Sequence, residues 1–532
     1  MNAESLERAA GSPVWKGWKP FMRSPVGTAG PDSQVLSMLP IAIALFAATL
    51  YLQLKTYPNH DVAWVLWGTR EMLDGAKWGV DIIEPNPPLA WYLSMPSTLL
   101  AGWLGVPLDW TFKVVVAIAA AISAIAFAAL ASAGSRFRGA FLCAVSGACL
   151  LLLPGREFGQ REHIAVIAVL PYLALAGRRA AGDRGPSAGA TVAIGLAMGI
   201  GVALKPYFLA VPLLVELVVQ LTAADRPKLL RAENIASAAV VAAYALVLIL
   251  FGRQYLADVV PLANEIYWSF NRPMGPVMDD LYPSLTAVAA FAAFAIYKRD
   301  SLGLILFAAF CGFALSYILQ RKGYPYHLLP VSIVAVAMLA HLSTAGARVV
   351  RALAVVVMLM LSLSIVQPPL NWWATNRPGG SRATEIDGFR QTVARHADNG
   401  RFLVVAIHPY PSFPTAIYTP AHYVSRTNSQ WFLPAVVQIR QGIVARPDAA
   451  TIESHARQFV MHDLAAKPNL VLIDKDAARH TVGAADFDIL AFYQEDPAFR
   501  QIWRSYREIE PIAEYRQFVR VESTAPASEP RA

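Results

Sequence analysis

The stretch VLSMLPIAIALFAATLYLQL, residues 35–54, decides the class of this protein. It carries no charged residue over about 20 positions, the length that an α-helix needs to cross the hydrocarbon core of a bilayer. About 34 mostly polar and basic residues precede it, so the stretch does not read as a cleavable signal peptide. The basic residues among them predict that segment 1–34 lies in the cytoplasm.

The same pattern repeats along the chain as far as Val366. Hydrophobic residues make up 56% of the 532 residues, charged residues only 15%, and the mean hydropathy is +0.42. A soluble domain carries about 25% charged residues. The sequence therefore predicts a polytopic α-helical membrane domain over 35–369 with about eleven spans. The later apolar runs lie at 111–133, 139–154, 163–177, 188–204, 207–221, 235–251, 284–297, 303–319, 328–343 and 351–366.

The charge of the loops predicts the orientation of these spans. One set of loops is short and basic, and the positive-inside rule assigns it to the cytoplasm. These basic loops also account for much of the net charge of +8, so the charge does not indicate a nucleic-acid partner. The other set, richer in aromatic, proline and acidic residues, is then extracytoplasmic. The basic set is 136–138, 178–184, 226–231, 298–299 and 348–351, and the outer set is 55–110, 155–162, 205–206, 252–283 and 320–327.

Loop 55–110 is predicted to be a large first outer loop. Its apolar part, 89–106, is interpreted as an interfacial or re-entrant helix, because an extra span there would move Arg136 and Arg138 to the outer side. Within the same loop, 62–73 is predicted as an amphipathic helix that lies along the membrane surface.

The tail over 370–532 is predicted to be a soluble extracytoplasmic α/β domain. Segments 402–407 and 470–473 are typical of strands, and 452–465 is typical of a helix. The loops at His408-Pro-Tyr-Pro and Ser425-Arg-Thr-Asn are interpreted either as binding loops or as turns. The cysteines lie in the apolar runs, so no disulfide framework is predicted.

Ionisable and aromatic residues concentrate in the outer loops. Taken singly, each is typical of a solvated interface or an aromatic belt. Because they share one face, we expect them to converge on one cavity at the outer ends of the helices. The members of this set are His60, Asp61, Glu84, Asn86, Arg161, Glu162, His163, Lys205, Arg321, Lys322, Tyr326 and His327.

This mixture suits the transfer of a sugar from a lipid-linked phosphate. A carboxylate can take a proton from an acceptor hydroxyl, and Lys and Arg can stabilise a departing phosphate. A transporter tends to carry its charges near the midplane of the membrane, where Glu216, closer to the cytoplasmic end, is the clearest candidate. Glycosyl transfer is favoured, and a lipid-linked sugar flippase or a non-catalytic scaffold is the alternative.

The order of these motifs resembles the GT-C glycosyltransferases, specifically the bacterial protein mannosyltransferase-like enzymes and the lipid A aminoarabinose transferase. Asp61 occupies the place of the family's Asp after the first span. Glu84-Pro-Asn-Pro-Pro-Leu-Ala-Trp-Tyr is similar to its "E-K-P-P-L-x-Y-W" segment, although Pro85-Asn86 stands where the family has Lys. Arg161-Glu162-His163, Ala203-Leu-Lys-Pro206 and Arg321-Lys-Gly-Tyr-Pro-Tyr-His-Leu-Leu-Pro330 resemble three further motifs.

The resemblance implies an inverting transfer from a polyprenyl-phosphate sugar to a glycan, lipid or protein acceptor, at the periplasmic side of a bacterial inner membrane. It implies that Asp61 is the catalytic base, with Glu84 and Glu162 as competing candidates. The contacts with the substrate or its phosphate are expected from the other residues of the set. The cofactor is left open: a divalent metal is possible, with Asp61, Glu84 and Glu162 as oxygen ligands, but the sequence does not require one.

Overall fold

In a computed structural model, residues 31–521 are described except 184, 224–228, 346, 477, 480–481 and 485. The predicted cytoplasmic segment 1–34 therefore lies almost entirely outside the described residues. The described residues up to Ala397 form helices joined by loops. The helices are α1 Pro31–Gln53, α2 His60–Leu73, α3 Leu89–Leu104, α4 Leu108–Ala131, α5 Arg136–Leu151, α6 Arg161–Ala180, α7 Ala188–Ala203, α8 Ala210–Thr222, α9 Ala232–Phe251, α10 Val260–Ile266, α11 Met274–Lys298, α12 Ser301–Gln320, α13 Pro325–Thr344, α14 Arg348–Asn376 and α15 Ser381–Ala397.

Within the described part of the chain, eight helices are long and apolar enough to cross a membrane: α1, α4, α6, α9, α11, α12, α13 and α14. They coincide with predicted spans, and they make this a multi-pass helical protein by length and composition. The remaining predicted spans fall on α5, α7 and α8, which have 16, 16 and 13 residues. A total of eleven spans stays a prediction.

Small residues allow the helices to approach closely. A Cβ atom added to Gly199 of α7 would lie 2.8 Å from the carbonyl oxygen of Ser237 in α9, and one added to Gly312 of α12 would lie 2.7 Å from Cα of Val211 in α8. Such backbone contact is a common way of packing helices in a bilayer.

The basic loops meet at one end of the bundle and form ion pairs there. Arg138 contacts His341 at 2.7 Å, and His341 contacts Asp300 at 2.7 Å. In a second network at this end, Arg231 lies 2.5 Å from Glu216 and 2.8 Å from Glu233. Glu216 also accepts a hydrogen bond of 2.8 Å from the Tyr172 hydroxyl in α6. The intramembrane carboxylate noted in the sequence is therefore held in an ion pair.

The outer-set loops meet at the opposite end. Nζ of Lys113 in α4 donates to the carbonyl oxygens of Gln53 and Thr56 at 2.8 Å each, and to Asp109 at 2.7 Å. The Gln53 side chain donates to the carbonyl oxygen of Gly155 at 2.9 Å. These buried bonds tie the first span to the loops that carry the predicted site.

The C-terminal part has the predicted α/β character. Its elements are β1 Arg401–Val405, β2 His422–Tyr423, α16 Leu433–Arg440, α17 Ala449–Ala465, β3 Leu470–Asp474, β4 Ala478–Arg479, β5 Gly483–Ala484, α18 Ile489–Gln494, α19 Pro497–Trp503, β6 Tyr506–Ile512 and β7 Tyr515–Arg520. A five-stranded sheet has the order β2-β1-β3-β7-β6, in which β1 runs parallel to β2 and β3, and β7 runs antiparallel to β3 and β6. The segments predicted as strands are β1 and β3.

The junction with the membrane region is a continuous helix. Helix α14 runs without a break to Asn376, so the boundary predicted between 369 and 370 falls inside it. At the site end, the Tyr57 hydroxyl donates to Asp387 of α15 at 2.5 Å, and the Ile83 amide donates to the Arg426 carbonyl oxygen at 2.8 Å. The C-terminal part thus packs directly on the first outer loop.

Helix α2 differs from its prediction. Every residue from Val62 to Thr69 is buried, so the amphipathic surface helix expected over 62–73 is wrong for this stretch. The reason is the packing of the C-terminal part, which covers the face that the sequence left exposed. Rings of Trp64 and Phe413 lie 5.2 Å apart, and those of Trp67 and Tyr423 lie 5.9 Å apart. Segment 89–106 forms the helix α3, and its position at the interface stays a prediction.

Candidate functional site

Asp61 stands in the first turn of α2. The side chain of Asn59 caps this helix by accepting a hydrogen bond from the Asp61 amide at 2.8 Å. The Asp61 carboxylate, 19% exposed, accepts a bond of 3.0 Å from Nε2 of Gln160 and lies 3.6 Å from Nε2 of His60.

The Asp61 carboxylate lines a cleft, called here the first cleft, at the outer ends of α2, α3, α4 and α6. Its walls are mostly apolar, and its charged and amide side chains are those of Asp61, Gln160 and Arg161. The cleft has a volume of about 10 Å³, so a ligand larger than water enters only if the walls of the cleft move apart. The other lining residues are Val62, Val65, Ala90, Ser94, Phe112, Gly159 and Ile164.

Glu84 is bound within the protein. One carboxylate oxygen accepts a hydrogen bond of 2.9 Å from Nε1 of Trp64, and the other accepts bonds from the backbone amide (3.0 Å) and the side-chain amide of Asn86. Arg161 lies 3.9 Å from the same carboxylate. These contacts favour a positioning role for Glu84 and Asn86, which fix the loop beside α2 and the guanidinium of Arg161.

Glu162, Lys205 and His327 form a buried network behind the first cleft. Nζ of Lys205 lies 2.5 Å from Glu162, 3.1 Å from the amide oxygen of Gln320 and 3.2 Å from Nε2 of His327. The Tyr326 ring lies 5.6 Å from the same ammonium group. Among the described residues, Oε2 of Glu162 and Nδ1 of His327 have no hydrogen-bond partner, so the network retains free capacity.

The two neighbouring cations, Arg321 and Lys322, point in different directions. Nζ of Lys322 donates to the Tyr267 carbonyl oxygen at 2.8 Å and lies 4.2 Å from the centre of that ring. Burial, with a smaller repulsion from Lys205, lowers the pKa of Lys322 to about 7. Arg321 is exposed and ends α12 with a φ of 51°. Only Lys322 of this pair is near the buried network.

Two of the three predicted histidines, His60 and His163, serve the packing of the site. Nδ1 of His163 accepts a bond of 3.0 Å from the Gly159 amide, and its Nε2 lies 2.7 Å from the Leu150 carbonyl oxygen. His163 is fully buried with both nitrogens occupied, which favours a structural role. The His60 ring packs against His408 of the C-terminal part with centroids 4.6 Å apart.

Two residues of the outer loop 155–162, Glu157 and Gln160, contact the site but were not among its predicted members. Nε2 of Gln160 donates to both Asn59 and Asp61, and Glu157 accepts a bond of 2.9 Å from the Asn59 amide. Burial raises the pKa of Glu157 to about 7; the charge of Asp61 adds to this rise and that of Arg156 opposes it. The one indication of their role in the sequence is their position directly before Arg161.

A metal site does not fit the carboxylates offered for it. No group of three or more His, Cys, Asp or Glu side chains able to hold an ion occurs among the described residues. Glu84 faces Arg161, and Glu162 faces Lys205, so cations already neutralise these two. We derive no step through a metal.

Comparisons with known proteins do not assign this chain. No protein-family model matches it, and no curated protein matches it significantly.

Proposed function

We propose that this protein is a GT-C-type glycosyltransferase of a bacterial inner membrane, which moves a sugar from a polyprenyl-phosphate donor to an extracytoplasmic acceptor. One observation carries the proposal. The partly exposed carboxylate of Asp61 stands at the mouth of an apolar-walled cleft beside Arg161, with Lys205 buried behind it. A base, a phosphate-binding cation and an apolar wall are the parts that this transfer needs.

Asp61 serves as the base in this proposal. Its carboxylate takes the proton of the acceptor hydroxyl while the acceptor oxygen forms a bond to the anomeric carbon. The bond between that carbon and the phosphate oxygen breaks on the opposite face, which inverts the configuration. Polyprenyl phosphate leaves with the electron pair. A positioned base contributes about 10²–10⁴-fold to such a step.

The cations stabilise the departing phosphate. Arg161 lines the first cleft, and its guanidinium can bind a phosphate through two parallel hydrogen bonds. Lys205 lies deeper and shares its charge with Glu162, and Lys322 adds a second buried ammonium. In a water-poor site these charges act more strongly than in solution. Apolar residues such as Val65 and Phe112 suit the first isoprenoid units.

The test of this function is a donor panel. The purified protein in lipid nanodiscs is incubated with polyprenyl-phosphate sugars and a mixture of envelope glycolipids, and release of polyprenyl phosphate is followed. We expect Asp61→Asn to lower turnover by at least about a hundredfold while donor affinity stays near wild type, because the amide keeps the size but removes the base.

Asp279→Asn is the matched control, since Asp279 is exposed on α11 and distant in sequence from the site motifs. It should retain full turnover. If Asp61→Asn keeps substantial turnover while Glu162→Gln abolishes it, Glu162 is the base instead. Unchanged turnover in Asp61→Asn, Glu84→Gln and Glu162→Gln together would contradict the transferase function, and uptake of the donor without chemistry would favour a flippase.

A further inference from the structure

Gln160 stands at the N-cap of α6, but its side chain does not cap the helix. Its backbone carbonyl oxygen accepts a hydrogen bond of 2.9 Å from the Ile164 amide, and its side chain makes no bond to the first turn. Serine, threonine, aspartate and asparagine are the residues preferred at this position. The side chain is buried and lines the first cleft instead. Capping of α6 therefore does not account for this glutamine.

The Gln160 amide links the start of α6 to the turn that begins α2. Its Nε2 donates to Oδ2 of Asp61 at 3.0 Å and to Oδ1 of Asn59 at 3.1 Å. A third acceptor, Oε2 of Glu157, lies farther away at 3.4 Å. A primary amide carries two N–H groups, and the two nearer acceptors can use both. One side chain thus joins two outer loops at the carboxylate of Asp61.

Asn59 determines which way the Gln160 amide points. Oδ1 of Asn59 accepts from the backbone amide of Asp61 at 2.8 Å as well as from Gln160, and its Nδ2 donates to Glu157 at 2.9 Å. The reverse orientation of Asn59 would place its N–H groups against two donors. With Asn59 fixed, a reversed Gln160 would place its own oxygen against the oxygens of Asn59 and Asp61. Donors and acceptors therefore match in one arrangement only.

We propose that Gln160 is the positioning residue of Asp61, holding Oδ2 so that Oδ1 is the oxygen that takes the proton of the acceptor hydroxyl. This inference rests on the proposed function, in which Asp61 is the base. Oδ1 lies 3.6 Å from Nε2 of His60, which is longer than a hydrogen bond. A carboxylate bound through one oxygen keeps a fixed direction for the other. Gln160 itself does not touch the reacting atoms.

Gln160→Met tests this role, because methionine keeps the length of the side chain but has no donor. We expect kcat to fall by about tenfold to a hundredfold, the effect of a small displacement of a reacting group. The KM for the donor should stay within about twofold, since Arg161 and Lys205 are unchanged. Release of polyprenyl phosphate gives both constants, and thermal unfolding in nanodiscs reports whether the variant is folded.

An exchange of two side chains tests the dependence of Gln160 on Asn59. Asn59→Asp still accepts from Gln160 and from the Asp61 amide, but it places a second carboxylate against Glu157. We expect kcat to fall in this variant. Adding Glu157→Gln supplies a donor in the opposite direction and should restore most of the lost turnover. A merely structural defect at Asn59 would not be repaired by this change, and that result would overturn the proposed arrangement.

Gln501→Met is the matched control, because Gln501 is exposed on α19 in the C-terminal part. It should retain the kcat and KM of the wild type. An unchanged kcat in Gln160→Met would overturn the proposal. Equal losses of kcat and donor affinity, together with a lower melting temperature, would also overturn it, because they would reduce Gln160 to a packing residue.

The contact is measured separately from the reaction. In protein labelled with ¹⁵N-glutamine, solid-state NMR identifies the side-chain amide of Gln160 by its loss in Gln160→Met, and we expect that signal to shift in Asp61→Ala. If it shifts but no donor releases polyprenyl phosphate, the contact is real and the transferase assignment is wrong. If donors react and Gln160→Met keeps its kcat, the transferase stands and Gln160 does not position its base.

Discussion

At the scale of single residues, Lys322 predicts that donor binding depends on pH. Its ammonium is buried against Tyr267 and close enough to Lys205 to be repelled by it, so its pKa falls to about 7 from an ordinary value near 10.5. Below pH 7 the group is charged and adds to the attraction for a phosphate. Above pH 7 it is neutral, while the phosphodiester of a lipid-linked sugar keeps its charge.

We therefore expect donor affinity to fall as the pH rises from 6 to 8.5, measured by equilibrium binding in nanodiscs. Lys322→Arg keeps its charge over this range and should remove the decrease. The pKa of Glu157 lies in the same range, so Glu157→Gln serves as the control. Its donor affinity should still fall as the pH rises. A decrease that persists in Lys322→Arg and disappears in Glu157→Gln would assign the effect to Glu157.

The same depressed pKa has an opposite effect on stability. The folded state disfavours the charged Lys322, so the protein gains stability as the pH rises from about 7 toward the ordinary pKa of lysine, where the unfolded chain also loses its proton. Binding and folding thus depend on this group with opposite signs. Such a conflict is typical of a residue that is retained for function.

At the scale of elements, the position of Asp61 depends on helix α2. Trp67, 3% exposed, stacks on Trp64 with ring centroids 5.1 Å apart and packs edge-on against Phe413 and Tyr423. Because these partners belong to the C-terminal part, that part fixes the helix that carries the proposed base.

Trp67→Ala should lower the free energy of unfolding by about 3–5 kcal/mol, the usual cost of a large aromatic truncation in a core. We also expect turnover to fall more than donor affinity, because the loosened helix displaces Asp61 but leaves Arg161 and Lys205 in place. Denaturant unfolding in detergent and the donor assay measure both. Trp103→Ala removes an 82% exposed ring from α3 and should change neither quantity appreciably. Equal losses of stability and turnover in Trp67→Ala and Trp103→Ala would contradict a packing role for Trp67.

The sequence predicted which segments form helices and strands better than it predicted which of these elements pack against each other. Runs of apolar residues marked α1, α4, α6 and α9 to within a few residues, because a span must be apolar along its whole length. The buried strands β1 and β3 were recognised for the same reason. Strands β6 and β7 were missed because their exposed and buried residues alternate irregularly.

Partners distant in the sequence could not be predicted. The face of α2 that packs on Phe413 is apolar. A face that contacts lipid is apolar too, so the sequence does not distinguish the two. Arg156 of an outer loop lies near Arg382 and Tyr410 of the C-terminal part, and only the folded chain brings them together. In contrast, Lys205, Glu162 and His327 stood in motifs that the sequence singled out, and the structure places them within 3.4 Å of one another.

At the scale of the whole molecule, the two ends of the bundle differ in how they use charge. At the end of the basic loops, Arg179 and Arg231 bind Glu233, and Arg138 bonds to His341. At the other end, Arg161 lines the first cleft, and Nζ of Lys322 donates to the Tyr267 carbonyl oxygen rather than to a carboxylate. The first arrangement stabilises the bundle, and the second suits ligands.

This division bears on the orientation in the membrane. The positive-inside rule counts lysines and arginines and gives little weight to acidic partners, so the ion pairs do not weaken it. We therefore predict that the loops at 178–184 and 298–299 are cytoplasmic and that the site and the C-terminal part are periplasmic. A donor that is presented on the outer leaflet reaches the first cleft only in this orientation.

Cysteine labelling in intact cells tests the orientation. A membrane-impermeant maleimide should label Glu495→Cys in the C-terminal part, because the Glu495 side chain is 48% exposed on the proposed outer side. It should leave Asp183→Cys unlabelled until the cells are permeabilised, because the Asp183 side chain is 44% exposed on the proposed inner side. The native cysteines give a low background, since Cys143 and Cys149 are buried and Cys311 is partly buried. Labelling both variants after permeabilisation controls for reactivity. The reverse pattern would place the first cleft on the cytoplasmic side, where a nucleotide-activated sugar rather than a lipid-linked one would be the accessible donor, and the proposed transferase would have to be abandoned.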